Sequence, residues 1–429
     1  MTYQLRYYQE SAVNKAIWFF GNYQNPFVLV LPTGSGKSLV IADICHKLNE
    51  PTLILQPSKE ILEQNYNKLL SYGYTDISIY SASFNSKEIS KYTYATIGSI
   101  KDYDLFKQFK YVLLDECHLL NPNPKRGMGM YNKFFKAIDC KHICGLTASP
   151  YRVIKKFYTD PRDSELYYVA HLMPINRIYP FFFKKFAYKV SIQQLMKDEY
   201  LSPIEYKYYN DFDTSELRIN TTGGDYDEIS LEQFWNDKRL KMLAHAIGEI
   251  DRECKHNLIF CSSIKQARIS TLMLREMGYS AEYLTSQHKP REREEIIRNF
   301  RNGNIKHLNN MGVLSVGFDF PELDSITLAR PTISLALLYQ MIGRGMRPFP
   351  EKKFCWVNDI VGNTKRLGRV ETIEFTKEPG GFRDIVVTEK GEITNKPLFK
   401  FKLKDEEKKN KILLNQTERE ELWQKSSNS

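Results

Sequence analysis

The octapeptide Leu31-Pro32-Thr33-Gly34-Ser35-Gly36-Lys37-Ser38 constrains this chain more than any other stretch. An apolar run at 27–31 leads into it, and a segment with Val40, Ile41, Ile44, Cys45 and Leu48 on one helical face follows. Strand, glycine-rich turn and helix in that order form the context that a phosphate-binding loop requires. The glycines let successive backbone N–H groups turn inward around anionic oxygens, and the helix N-terminus adds its positive end. Thr33, Gly34, Ser35 and Gly36 would form the cradle. Lys37 would reach the β- and γ-phosphates, and the Ser38 hydroxyl would hold Mg2+. The wider pattern GxxxxGK[ST] asks for glycine at position 31, where this chain has Leu31.

A loop of this kind predicts an α/β fold, and the rest of the chain keeps the same rhythm. Residues 52–55, 111–114 and 142–146 are short, β-rich and bounded by breakers. Runs this apolar suit parallel strands buried on both faces. Ile61, Leu62, Leu69 and Leu70 mark a helix between two of them. The rhythm fades after Pro150. Residues 151–209 are crowded with Tyr, Phe and Lys and include Pro180-Phe181-Phe182-Phe183-Lys184-Lys185-Phe186. Basic residues among aromatics can hold single strands by stacking and phosphate contact. The same composition also suits a packed connector. Strands resume at 258–261, 325–329 and 354–357, with helices at 265–277 and 291–300. After about Arg369, turns at 379–381 and 390–391 separate short β-like stretches, and a charged helical run ends the chain. We therefore expect an α/β protein of two tandem lobes, each a parallel sheet flanked by helices. Their bounds are 1–205, including a connector at 151–205, and 206–368, with a small accessory element at 369–429.

A chain of 429 residues is too long for one ordinary core, which agrees with two lobes. The net charge of +10 favours a polyanionic partner. The seven cysteines form no CxxC pair and lie mostly in apolar stretches, so they are expected to be reduced core residues. Residues 1–9 are polar and aromatic, unlike a secretory leader. No apolar run approaches the roughly 18 residues that a membrane helix needs. A cytoplasmic protein without membrane contact is expected, in a bacterium or in the host of a phage.

Residues 111–114 run straight into Asp115-Glu116-Cys117-His118. Two carboxylates at the C-terminal end of a buried strand lie where ligands bind in open α/β sheets. Adjacent acids repel each other there unless a cation joins them. Asp115 suits Mg2+ held through water, and Glu116 suits orienting and deprotonating an attacking water.

From here the chain resembles the superfamily-2 helicases of the DExH type, and the match continues in order through both halves. Leu5-Arg6-Tyr7-Tyr8-Gln9 resembles the adenine-recognition element, with Gln9 reading the base edge beside Arg6. Pro57-Ser58-Lys59, with Glu60 and Gln64, resembles the first nucleic-acid segment, and Thr96-Ile97-Gly98-Ser99-Ile100 the second. Thr147-Ala148-Ser149-Pro150 is similar to the coupling motif TATP, with Ser149 in place of a threonine. Leu258-Ile259-Phe260-Cys261-Ser262-Ser263 resembles the fourth motif and adds Ser262 to the nucleic-acid contacts. Residues 310–319 resemble the fifth and add Gly317 and Asp319 to the nucleotide contacts. Asn309 stands where relatives place an apolar strand residue.

The stretch from Gln340 to Arg347 matches the sixth motif, QxxGRxxR. On a helix, positions 340, 344 and 347 share one face. Arg344 and Arg347 would then point at the γ-phosphate as arginine fingers, with Gln340 beside them. Gly317-Phe318-Asp319-Phe320-Pro321-Glu322-Leu323-Asp324 and Asp359-Ile360-Val361-Gly362-Asn363 bring the resemblance nearest to RadD-like bacterial and phage repair helicases, over residues 3–368. Proteins of that kind carry a cysteine zinc module further on. No cysteine follows Cys355, so no zinc is expected.

The resemblance implies two RecA-like lobes, ATP with Mg2+, and nucleic-acid-dependent ATP hydrolysis. It implies a monomer acting on single-stranded, duplex or branched DNA, with single-strand-binding or recombination proteins as further partners. Three other functions compete. An RNA helicase of the DEAD-box form would carry Asp at position 118 and HRxGRxxR in the sixth motif. The motor subunit of a restriction-type nuclease would need a nuclease domain, and none is visible in the sequence. A nucleotide-binding scaffold would not need Lys37, Glu116 and both arginines intact.

Overall fold

The structure is a computed structural model that describes residues 4–402 except 121–128, 160, 163–164, 180, 210–211, 221–223, 315–319, 378–383, 390 and 393–396. Two parallel sheets dominate it. The first draws on β1 (Phe27–Val30), β2 (Thr52–Gln56), β3 (Ile77–Ser81), β4 (Ser86–Lys87), β5 (Tyr92–Thr96), β6 (Tyr111–Asp115) and β7 (His142–Thr147). A long hairpin of β8 (Tyr151–Thr159) and β9 (Leu166–Pro174) then leaves the sheet, and β10 (Lys185–Lys189) returns to it. The strand order is β10-β1-β7-β6-β2-β5-β3-β4, with only the β3–β4 pair antiparallel. The second sheet contains β11 (Ile204–Tyr208), β12 (Asn257–Cys261), β13 (Ala281–Thr285), β14 (His307–Met311), β15 (Ser325–Ala329) and β16 (Cys355–Asp359). Its order is β11-β16-β15-β12-β14-β13, parallel throughout.

Every residue of β1, β2 and β6 is buried, as helices on both faces of a parallel sheet demand. Each Val, Leu, Ile or Phe buried this way contributes roughly 1.5–3 kcal/mol. The helices begin where the sequence supplies a cap. Ser58, Ser263 and Ser334 each accept an N–H of the first turn through the side chain, opening the helices Lys59–Ser71, Ile264–Glu276 and Leu335–Ile342. Such a cap is worth about 1 kcal/mol. Lys59–Ser71 follows β2 and, like Lys37–Leu48 after β1, starts at the C-terminal edge of the first sheet. That edge therefore collects the loop at 31–38, the carboxylates after β6 and the segments after β2 and β5.

The aromatic stretch at 180–186 divides in two. Phe183 is buried against the position a Cβ of Gly145 would take, and Lys185–Lys189 is a sheet strand. Tyr179 and Phe181 stay exposed, with the Lys184 ammonium over the Phe181 ring. The accessory segment folds back on the first lobe. Lys189 Nζ donates to the Phe375 carbonyl at 2.8 Å, and the Phe375 ring stacks on Tyr151 with centroids 5.6 Å apart. Pro397–Lys402 then adds a third, antiparallel strand to β9. The charged helical run expected at the end of the chain lies outside the described residues.

Asn309 is fully buried in the middle of β14. Its Nδ2 donates to Thr271 Oγ1 at 2.9 Å, and Cys261 Sγ lies 3.7 Å from its Oδ1. A polar partner on the covering helix thus accounts for the departure from an apolar residue. All seven cysteines are free thiols, and only Cys140 is not buried. Among the described residues no helix is long and apolar enough to cross a membrane.

Candidate active site

The loop after β1 curls around an open cavity. Leu31 N–H donates to the Thr147 carbonyl, which ties the loop to β7. Gly36 caps the helix Lys37–Leu48 with φ of 80°, in the left-handed region that favours glycine. A Cβ there would also stand 2.5 Å from Gln9 Nε2. Gln9 is locked in place, because its Nε2 donates to the Ser35 carbonyl and its Oε1 accepts Arg6 N–H. The Arg6 guanidinium lies 4.7 Å from the centroid of Tyr200, and Tyr8 O–H also reaches the Ser35 carbonyl. The adenine-type element and the phosphate loop are thus one hydrogen-bonded unit.

The carboxylate pair closes the inner wall. Lys37 Nζ stands 3.5 Å from Glu116 Oε1. Glu116 has φ of 46°, a left-handed conformation that costs a non-glycine residue about 1–3 kcal/mol. That turn swings its side chain from the strand end toward Lys37 and His118. His118 Nδ1 lies 2.8 Å from Thr147 Oγ1 and 3.3 Å from Glu116 Oε2. Ser149 N–H donates to Thr147 Oγ1, and Ser149 Oγ is 3.4 Å from His118 Nδ1. Glu116, His118, Thr147 and Ser149 therefore form one buried network. In the motif His118 is only the fourth letter, and its spacing alone points to no role.

Electrostatics separate the two acids. Burial and the neighbouring Glu116 charge push the Asp115 carboxyl up. Burial opposes ionisation of Glu116 as well, but Lys37 and His118 outweigh it and hold that carboxyl well below its usual range. A buried acid raised by a like charge suits a cation at its free edge. Ser38 and Asp115 both face the cavity, so this oxygen donor set fits Mg2+.

The second lobe supplies the opposite wall. One cavity of about 580 Å³ is lined by Arg6, Gln9, the loop from Thr33 to Ser38, Asp115 and Glu116, and also by Arg344 and Arg347. Ser202, in the segment joining the lobes, holds the backbone of the arginine turn. Its N–H donates to the Met346 carbonyl at 2.7 Å and its Oγ to the Arg347 carbonyl at 3.0 Å. Lys352 braces the same turn, since its Nζ donates to the carbonyls of Gly345, Pro321 and Leu323. Burial lowers its ammonium to about 8.

One geometric expectation is corrected. The helix carrying Gln340 ends at Ile342, and Arg344 and Arg347 occupy the tight turn beyond it. They do not share a helical face with Gln340. Gln340 lines a separate cavity of about 350 Å³ with His118 and Tyr151. The reason is packing, because a Cβ on Gly343 would meet Thr33 Cβ at 2.6 Å and one on Gly345 would meet Cys355 Sγ at 2.3 Å. The chain has to turn sharply where the two lobes touch. Gly343→Ala is therefore expected to wedge the lobes apart at Thr33 and cut ATP turnover by about a hundredfold, the cost of an ångström-scale misplacement. An unchanged turnover number at an unchanged melting temperature would show that this contact is not needed for catalysis.

The nucleic-acid segments also gather. Gln56 pairs with Thr96 across β2 and β5, which sets Pro57 and Lys59 beside Thr96 and Ser99. Lys59 is exposed, with its ammonium over the Phe84 ring, whereas the Ser99 hydroxyl accepts Ala82 N–H. Ser262 differs. It is buried, and both its N–H and its hydroxyl donate to Gln266 Oε1, so the side chain is committed inside the second lobe. Gly317 and Asp319 lie outside the described residues.

Fold and cavity together define a two-lobed P-loop protein with a candidate nucleotide site in the cleft. Residues 2–152 match the family described as type III restriction enzyme, res subunit, and residues 238–348 match the helicase conserved C-terminal domain. The two matches in tandem, one on each lobe, place the chain among the superfamily-2 helicases. It is similar to a Saccharomyces cerevisiae protein named as the ATP-dependent helicase IRC3, at 25% identity over 83% of this chain and 51% of that one. It is equally similar, at 25%, to a 51.5 kDa protein of a Lactococcus phage, over 82% of this chain and 70% of that one. Among solved structures, an HsdR-subunit fragment of a type I restriction enzyme from Vibrio vulnificus aligns with a TM-score of 0.60 at 19% identity. It covers 86% of this chain and 67% of its own. Dbp5 of S. cerevisiae bound to RNA aligns at 0.52 and 17%, over 84% and 85%. The chain spans about half the length of its yeast relative.

Proposed function

We propose that this protein is an ATP-driven DNA translocase or helicase that remodels branched DNA in replication, recombination or repair. The observation that carries the reading is the single cavity bounded by the phosphate loop of one lobe and the arginine turn of the other. ATP bound there touches both lobes through one charged group, so its γ-phosphate favours a closed cleft and its loss favours an open one. Nucleic acid lying across both lobes is gripped and released once per cycle.

The side chains suggest the order of events. In the free site Lys37 neutralises Glu116. Incoming phosphates compete for Lys37, and drawing it away frees Glu116 to accept a hydrogen bond from the attacking water and to bind its proton more strongly. Asp115 and Ser38 would hold Mg2+, which when bound offsets charge on the phosphate oxygens. Arg344 and Arg347 stabilise the charge that develops on the transferred group. Because Glu116 Oε2 accepts the Thr147 hydroxyl proton at 3.4 Å and lies 3.3 Å from His118 Nδ1, a shift of the Glu116 carboxylate reaches the coupling segment directly.

DNA is favoured over RNA by the resemblance to repair helicases and by a structural likeness to a type ISP restriction enzyme solved on DNA, TM-score 0.59 at 14% identity. The match of residues 2–152 to a restriction-enzyme subunit supports a second reading, the motor of a restriction-type enzyme. Strand displacement on forked, Holliday-junction and plain duplex DNA, with RNA alongside, separates these. Preference for branched DNA supports repair remodelling. Displacement of a bound third strand from plain duplex, without branch preference, supports the restriction-type motor, and activity on RNA alone overturns both.

Contacts from Pro57, Lys59, Thr96 and Ser99 are expected to go mainly to phosphates. Affinity for DNA should then fall by about a thousandfold or more between 50 and 200 mM salt if roughly six phosphates are neutralised, with little dependence on sequence. Fluorescence anisotropy measures this directly, and salt-insensitive binding would contradict a backbone-tracking motor.

A further inference from the structure

Asn65 lies on the helix Lys59–Ser71, a segment that the motifs relate to nucleic acid rather than to ATP. It is nonetheless buried, and it lines the nucleotide cavity together with Lys37 and Ser38. Its amide spans two groups. Oδ1 accepts the Ser38 hydroxyl proton, and Nδ2 donates to Asp115 Oδ2 at 3.2 Å. The other oxygen of Asp115 accepts Glu116 N–H at 2.9 Å. Ser38 sits in the first turn after the phosphate loop and Asp115 at the tip of β6, so the sheet brings both to one edge while their side chains come from different elements. The amide that reaches both belongs to a third element.

We propose that Asn65 is a positioning residue of the divalent-cation site, setting the Ser38 hydroxyl and the Asp115 carboxylate at the spacing a hydrated Mg2+ requires. The inference rests on the reading of Ser38 and Asp115 given above. Two physical points favour it over an ordinary buried amide. First, its donor faces a carboxylate and its acceptor a hydroxyl, the arrangement that leaves an Asp115 lone pair and a Ser38 lone pair directed elsewhere. Second, Mg2+ keeps several of its waters, and those waters need acceptors just outside the metal's own ligands. The Asn65 carbonyl has a second lone pair beside the one that Ser38 uses, and it is placed to be one of these acceptors. Groups that orient metal ligands in this way typically contribute 10–100-fold in metal affinity.

The test uses the full chain and a fluorescent ATP analogue, titrated with Mg2+ and separately in EDTA. Asn65→Ala is expected to raise the Mg2+ concentration at half-maximal nucleotide binding by about 10–100-fold. Binding in EDTA, which depends on the phosphate loop alone, should stay near that of the parent. Asn65→Asp keeps the volume, loses the donor and sets a second acid against Asp115. Its melting temperature should fall without Mg2+ and recover with it more than the parent's does. An unchanged Mg2+ requirement in Asn65→Ala, or equal weakening in Mg2+ and in EDTA, would overturn the inference. A parent whose nucleotide binding ignores Mg2+ would instead overturn the assignment of Ser38 and Asp115 themselves.

Discussion

Arg344→Ala or Arg347→Ala is expected to cut ATP turnover by about 10³–10⁵-fold while ATP affinity stays within roughly tenfold. The asymmetry follows from where the contacts lie. The phosphate loop, Gln9 and Arg6 form a hydrogen-bonded cradle in the first lobe, and the bonds that build it are made by neither arginine. The arginines approach from the second lobe, so their charge matters most when the γ-phosphoryl group carries the charge of the transition state. Translocation should vanish with turnover, because the arginines are also the second lobe's hold on the nucleotide. Single-turnover hydrolysis together with equilibrium nucleotide binding separates the two quantities. A variant that loses binding and keeps its turnover number would make these residues ground-state ligands rather than fingers.

The second large effect divides Lys37 from Glu116. Lys37→Ala removes the only loop cation, and electrostatic positioning dominates phosphoryl transfer, so turnover should drop by at least about a hundredfold. It also strips Glu116 of its partner at 3.5 Å. The carboxyl then loses the main charge that keeps it ionised against burial. Lys37→Ala should therefore also shift the pH dependence of whatever nucleotide binding survives upward. Glu116→Gln keeps shape and hydrogen bonding but cannot take a proton, so it should bind ATP and DNA and turn over slowly. Loss of nucleotide binding in Glu116→Gln would recast the residue as structural.

The parts of this fold most legible in the sequence were those where chemistry and hydrophobic pattern coincide. β1, β6 and β7 are apolar, short and buried on both faces, and the loop and carboxylates sit at their C-terminal ends. β14 shows the opposite case. His307 and Asn309 lie on one face of it and Asn310 on the other, yet all three are buried and bonded, at Asp251, Thr271 and the Leu314 N–H. Composition alone cannot announce a strand whose polar groups are satisfied by tertiary contacts. β10 was hidden differently, since aromatic and basic residues suit a binding surface as readily as an edge strand.

At the site, the motifs located the arginines but not their conformation. The helix period placed Arg344 and Arg347 beside Gln340, whereas contact between Gly343 and Thr33 of the other lobe ends that helix early. Asn65, Ser202 and Lys352 went unassigned for a related reason. Each acts through groups far away in sequence, at Ser38 and Asp115, at Met346 and Arg347, and at Pro321 and Leu323. No local spacing records such contacts. A polar residue inside an otherwise apolar helical stripe, as Asn65 is between Leu62 and Leu69, was the one signal available.

ATP hydrolysis by the intact chain, measured with and without single-stranded DNA, duplex DNA, forked DNA and RNA, tests the central claim most directly. A motor whose nucleotide sits between two lobes should hydrolyse slowly alone, because nothing holds the cleft shut. Nucleic acid spanning both lobes should raise the turnover number severalfold, most strongly with branched DNA, and raising the salt should remove the stimulation. Hydrolysis at one constant rate under all of these conditions would contradict the account, since the cleft would then be an ATPase site uncoupled from any track.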